Sequence, residues 1–111
     1  MKTSDAVVSL GALAHETRLR VFRLLVRAGD LGLSVGKIAD ELGCEANGRL
    51  SFHLKELVAA GLVKARQDGR FIFYATDYNA MNLLLKFLTE DCCGGLGCQE
   101  IVDSCKGEAS K

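Results

Sequence analysis

Two short amphipathic runs, Ser34 to Leu42 and Asn47 to Ala60, meet at a turn over 43–46 that opens on Gly43. Val35, Ile38, Ala39 and Leu42 recur at helical spacing in the first run, and Leu50, Leu54, Leu57 and Val58 in the second. Apolar residues at that spacing give each helix one side that must be buried. A turn this short leaves the two helices to bury those sides close together, which is a helix-turn-helix. Ser34 and Asn47 stand where N-caps belong, because their side-chain oxygens can accept from the free N–H groups of a first helical turn. Gly43 and Gly61 lie where the two helices should stop.

Beyond Gly61 the period changes. Leu62 to Arg66 and Phe71 to Thr76 alternate as strands do, and Gln67-Asp68-Gly69-Arg70 between them holds an Asp-Gly hairpin signal. Upstream, Ser4 to Leu13 reads as a short helix and His15 to Arg27 as a stronger one, with Gly29 just past its end. Leu31-Gly32-Leu33 reads as a connector. A last helix over Tyr78 to Glu90 is apolar on more than one face, which in so small a domain predicts burial against a second subunit. The order predicts a mainly α fold with a small β-hairpin: a homodimeric winged helix-turn-helix. At 111 residues the chain fits one folded domain over 1–90, with a cysteine-rich segment and tail over 91–111.

A recognition helix enters the major groove of DNA with its N-terminal residues on base edges. In the second run these are Asn47, Arg49, Ser51, Phe52, His53 and Lys55. Arg49 suits guanine, Ser51 and His53 can donate to bases or phosphates, and Phe52, off the Leu50/Leu54/Leu57 side, suits a thymine methyl. Arg66 and Arg70 flank the hairpin tip, where a wing meets phosphates. Net charge is zero over the chain, but its distribution is uneven. Residues 48–88 carry six Lys/Arg against three acids, and residues 89–111 carry two lysines against five acids. A basic centre favours a nucleic-acid partner, although surface cations more often form only a solvated face.

Four of the five cysteines fall after the last helix: Cys92, Cys93, Cys98 and Cys105. Their polar, glycine-rich setting offers no core for them to fill. Clustered thiolates select soft, thiophilic metals or metalloids, and Gly94, Gly95 and Gly97 let the backbone bring them together. Cys44, alone at the helix-turn-helix turn, reads instead as a small buried hydrophobe.

Several stretches together resemble the ArsR/SmtB family of winged-helix metal-responsive repressors. They are Ala12-Leu13-Ala14-His15-Glu16-Thr17-Arg18-Leu19-Arg20, Ile38-Ala39-Asp40-Glu41-Leu42-Gly43, Ser51-Phe52-His53-Leu54-Lys55-Glu56-Leu57 and Ala60-Gly61-Leu62-Val63. The strand pair, with Asp68-Gly69-Arg70 at its turn, is similar as well, and the resemblance covers roughly residues 5–90. It implies a homodimer that binds double-stranded operator DNA and releases it when a metal or metalloid binds. Two departures stand out. Glu16 replaces the proline usual after the position of His15. The first helix of the helix-turn-helix, Ser34-Val35-Gly36-Lys37-Ile38-Ala39, lacks the thiols of the best-known arsenic sensors. Cys92, Cys93 and Cys98 instead resemble those of an arsenic-responsive subgroup that binds trivalent arsenic through a vicinal pair after the last helix and a third cysteine in the tail.

Trivalent arsenic and antimony take three thiolates in a pyramid. Cys92 and Cys93 would supply two, and Cys98, or Cys105 in its place, the third. As(III) or Sb(III) is therefore the expected inducer, with no permanent cofactor. Four thiolates also suit zinc, although an adjacent pair is awkward for one tetrahedral ion. Cadmium, lead, a methylated arsenic species held by two thiolates, and a redox switch stay open.

No glycine-rich phosphate loop, paired catalytic carboxylates or nucleophile–base spacing points to an enzyme. No apolar run approaches the ~20 residues of a membrane helix, and the N-terminal residues do not form a secretory signal, so a cytoplasmic protein without a membrane partner is expected. A winged helix that docks protein rather than DNA is the competing class.

Overall fold

The computed structural model describes residues 1–91, so Cys92, Cys93, Cys98 and Cys105 lie outside the described residues. Helices α1 (Thr3–Leu13), α2 (Glu16–Ala28), α3 (Val35–Leu42), α4 (Gly48–Ala59) and α5 (Tyr78–Thr89) accompany strands β1 (Leu33–Ser34), β2 (Val63–Asp68) and β3 (Phe71–Thr76). This is a winged helix-turn-helix: α3 and α4 form the helix-turn-helix, and β2 and β3 form the wing.

The caps explain the boundaries. Ser34 Oγ accepts from Lys37 N–H at 3.3 Å. Asn47 Oδ1 accepts from the N–H groups of Arg49 and Leu50 at 3.1 and 3.2 Å. Asp77 Oδ1 accepts from Ala80 N–H at 3.1 Å. His15 lies outside α2 rather than inside it: its backbone is extended and its Nδ1 accepts from Thr17 N–H at 3.2 Å. With no proline to start this helix, an imidazole nitrogen holds the first turn. At the other end of the helix-turn-helix scaffold, Arg20 Nη2 donates to Leu42 O, a carbonyl that α3 cannot satisfy internally.

The core gathers Val21, Phe22 and Leu25 of α2, Ile38 and Ala39 of α3, and Leu50, Leu54 and Leu57 of α4. Leu62, Val63 and Tyr74 close it from the sheet. Tyr78 fastens α5 to the end of α2, its hydroxyl donating to Val26 O at 2.7 Å.

The sheet has one strand more than expected. Its antiparallel order is β1-β3-β2, with Leu33 opposite Tyr74 and Ser34 opposite Phe73. The Leu31-Gly32-Leu33 connector therefore ends in a strand. The hairpin is also tighter than expected: β2 runs to Asp68, which pairs with Phe71, leaving Gly69 and Arg70 as the loop. Gly69, with φ +63°, takes the first loop position, where a type II′ hairpin needs a positive φ. Asp68 and Gly69 are thus one residue out of the type I′ register that the Asp-Gly pair suggests.

α5 buries Leu84 and leaves Leu83, Leu85 and Leu88 exposed. α1, packed beside it, exposes Val7, Val8 and Leu10. Among the described residues no helix is long and apolar enough to cross a membrane.

Candidate nucleic-acid interface

α4 sorts its residues by helical period. Leu50, His53, Leu54 and Leu57 are buried. The opposite side carries Gly48, Phe52, Lys55 and Ala59, all exposed, with Arg49 at its edge. Small residues at both ends and long ones between them suit close approach to a groove. Phe52 is 51% exposed, an aromatic ring presented to solvent on the side of the helix away from the core.

The structure brings Asn47, Arg49, Phe52 and Lys55 to this exposed part of α4 and its cap, with Ser51 half-buried. Asn47 already spends its carbonyl oxygen on the helix terminus. His53 is different. It is 6% exposed and sits against α2, its Nδ1 accepting from Arg18 Nε at 3.1 Å. The His15 ring lies 4.6 Å away, tilted by 47°. His53 is therefore a packing residue behind the outward side, and the expectation that it donates to DNA is corrected. Cys44 is corrected the other way: it is exposed, bordering an open hollow with Thr17, Asn47 and Arg49.

In the wing, Arg66 is tied down. Its Nη2 donates to Leu31 O at 3.1 Å, its guanidinium lies 4.9 Å from the Phe73 ring centre, and Asp68 is 3.7 Å away. It braces the wing against the loop before β1. Arg70 stands at the hairpin tip, exposed, beside exposed Phe71 and Ile72. Among the described residues no cluster of His, Cys, Asp and Glu is arranged to hold a metal.

Burial pushes the His53 pKa below the ordinary 6.5, and the nearby His15, Arg18 and Arg49 push it the same way. The neutral ring is therefore the folded form near neutral pH. An unfolded chain takes up a proton through pH 6.5 that the folded chain resists, so stability present above that value is lost as pH falls toward the depressed folded value. Thermal melts should be flat above about pH 7 and decline as the pH falls below about 6.5. The decline should be shallower in His53→Asn, and an equal decline in both proteins would remove His53 as its cause.

A helix-turn-helix domain family matches residues 13–66. The transcriptional activator HlyU of Vibrio cholerae is 33% identical over 86 residues, spanning 78% of this chain and 76% of HlyU. The putative arsenical resistance operon repressor ArsR of Halobacterium salinarum is 37% identical over 76 residues, 68% of this chain and 57% of that protein. The chain belongs to the ArsR/SmtB family. Solved structures agree with this ArsR-family fold. The antimony-specific transcriptional repressor AntR superposes with a TM-score of 0.62 at 30% identity, covering 77% of this chain and 75% of AntR. The homodimeric winged helix-turn-helix domain of Mb0332 from Mycobacterium bovis gives 0.63 at 25% identity, covering 79% and 81%. These ArsR-family relatives are transcriptional regulators rather than enzymes, and by name they include both an activator and repressors.

Arg18 and Tyr78 make contacts that the sequence does not signal. Arg18 and His53 are 35 residues apart, as no local pattern would suggest. Tyr78 at the start of an apolar helix gives no sign of where its hydroxyl goes.

Proposed function

We propose that the protein is a homodimeric, cytoplasmic repressor that binds a palindromic operator and lets it go when trivalent arsenic or antimony binds Cys92, Cys93 and Cys98, with Cys105 as a substitute third ligand. The observation that carries the DNA-binding part is the outward side of α4. Phe52 and Lys55 stand between two small residues, beside Arg49, on a helix whose first turn is locked by Asn47. An exposed aromatic flanked by cations is costly in water and useful against base edges.

Dimerisation is supported by the apolar side that α1 and α5 share: Val7 is 62% exposed and Leu88 54%. A two-fold axis through these helices presents two α4 helices to two half-sites. Leu85→Glu puts a charge in that side; it is expected to give a monomer by sedimentation and to weaken operator binding at least tenfold. A dimeric Leu85→Glu protein would move the interface elsewhere.

The metalloid part is supported by the chemistry of adjacent thiols and by likeness to an antimony-specific repressor. Repression, rather than the activation named for HlyU, is supported by the likeness to an arsenical resistance operon repressor and an antimony-specific repressor.

The test is fluorescence anisotropy on DNA upstream of the protein's own gene, in reductant, with arsenite, antimonite, zinc and cadmium added in turn. Affinity without inducer should fall steeply with salt, log K against log [salt] having a slope of about −0.9 per neutralised phosphate. Arsenite or antimonite should then release the DNA. Release by zinc or cadmium alone would make the cysteines a four-thiolate metal site. Salt-insensitive or absent binding on every candidate operator would favour the protein-docking class.

A further inference from the structure

Three side chains from two helices meet behind the outward side of α4. Arg18, in the first turn of α2, donates from Nε to His53 Nδ1 at 3.1 Å. The same guanidinium carbon lies 5.6 Å from the centre of the Phe52 ring. Phe52 is itself 5.9 Å from the His53 ring, tilted by 57°. Phe52 is thus supported on one flank by a cation and an imidazole and is open on the other. An unsupported phenylalanine on a helix surface would move among several rotamers, and a ring that reads DNA loses affinity for every rotamer it must give up on binding.

We propose that Arg18 is a positioning residue for sequence reading: anchored on His53, it holds the Phe52 ring at the angle that meets the methyl group of a thymine, and it does so only while His53 Nδ1 carries no proton. This rests on the DNA-binding reading above. The guanidinium is planar and stacks on an aromatic face, while its Nε–H points along the same plane at the acceptor. One side chain therefore links a buried histidine to an exposed ring. A protonated His53 would turn an N–H toward the N–H of Arg18, and two donors cannot share that contact.

Charged and titratable groups surround the histidine from each side. α2 contributes His15 and Arg18, and α4 contributes Arg49. The helix-turn-helix turn contributes Cys44 and Glu45, which border the same hollow. Burial, the cations and His15 all oppose protonation of His53, so acid below the ordinary histidine range is needed to open the contact.

The test uses the full chain. Selection from a random duplex pool defines the preferred site, and each thymine in it is then replaced by deoxyuridine, which removes only the methyl. At pH 7.5 the wild type should lose about fourfold in affinity at one thymine per half-site, as burial of one methyl-sized group predicts. Phe52→Ala should show no loss there. Arg18→Gln should show little, and Arg18→Lys should not restore it, because an ammonium neither stacks nor forks. As the pH is stepped down below 6.5, as far as the folded domain persists, the wild type should converge on the behaviour of Arg18→Gln. His53→Asn, whose side-chain oxygen can accept from Arg18 but cannot titrate, should keep the fourfold loss throughout the series.

Arg18→Gln with an intact deoxyuridine loss, or a wild type whose loss ignores pH, would overturn the inference. If Arg18→Gln melts early, the wild-type pH series makes the same test without a substitution. A wild type that enriches no sequence fails the DNA-binding reading first and takes this inference with it. A sequence-specific wild type with no methyl-sensitive thymine sinks this inference alone.

Discussion

Replacing Gly32 with alanine is expected to destabilise the domain by about 3 kcal/mol or more, a fall of roughly 12–24 °C in melting temperature for a domain of this size. Two effects act together. Gly32 has φ +73°, a region that residues with a Cβ rarely enter. A Cβ there would also lie 2.2 Å from Tyr74 O and 2.8 Å from Tyr74 C, both backbone atoms of the middle strand. A flexible side chain could swing aside, but a strand paired on both edges cannot. Gly43 separates the two effects. Its φ is +69°, yet a Cβ there would meet nothing within 4 Å, so Gly43→Ala should show only the conformational part, about 1–2 kcal/mol. Urea denaturation of both variants checks this, and equal losses would mean that the approach of Gly32 to β3 carries no energy.

Changing Cys92 or Cys93 to serine is expected to abolish release of operator DNA by arsenite while leaving the uninduced complex in place. A hydroxyl is a poor ligand for a soft metalloid, and with one of the vicinal pair gone Cys98 and Cys105 would together have to supply two sulfurs from the tail, without the adjacent thiolate that anchors the pyramid. Coupling of ~1–3 kcal/mol would make wild-type release ~5- to 150-fold, so the contrast is easily read by anisotropy. Cys98→Ser tests the third ligand: full loss assigns it to Cys98, and partial retention means that Cys105 stands in. Linkage adds a check without substitution, since bound operator must weaken metalloid affinity by the same factor that metalloid weakens operator binding. Arsenite release that persists in both Cys92→Ser and Cys93→Ser would refute the C-terminal sensor.

The helices were legible because each carries its own signal. Leu50, Leu54 and Leu57 mark one side of α4, and Ser34 and Asn47 are cap residues by type and position alone. What escaped notice depends on partners far along the chain. β1 is two residues long, too short to show a period, and exists only because β3 runs beside it. His53 has the right position for a DNA contact and the wrong side of the helix for one, a distinction of one residue in the period. Arg66 looks free in the sequence and is held by Leu31 O, 35 residues away. Cys44 shows the reverse error: a lone cysteine suggests a core, but the turn carries it to the surface.

The order of the sheet has one more consequence. Among the described residues β2 is an edge strand six residues long, its outward backbone donors and acceptors facing no other strand. Such an edge invites pairing with any other extended chain. Here Lys64, Arg66 and Asp68 alternate along it, and charged side chains, lysine above all, are what blunts a sheet edge against such pairing. The opposite edge, β1, is too short to template anything. One edge is closed by charge and the other by brevity, so the wing can remain extended at high protein concentration without seeding β-aggregation.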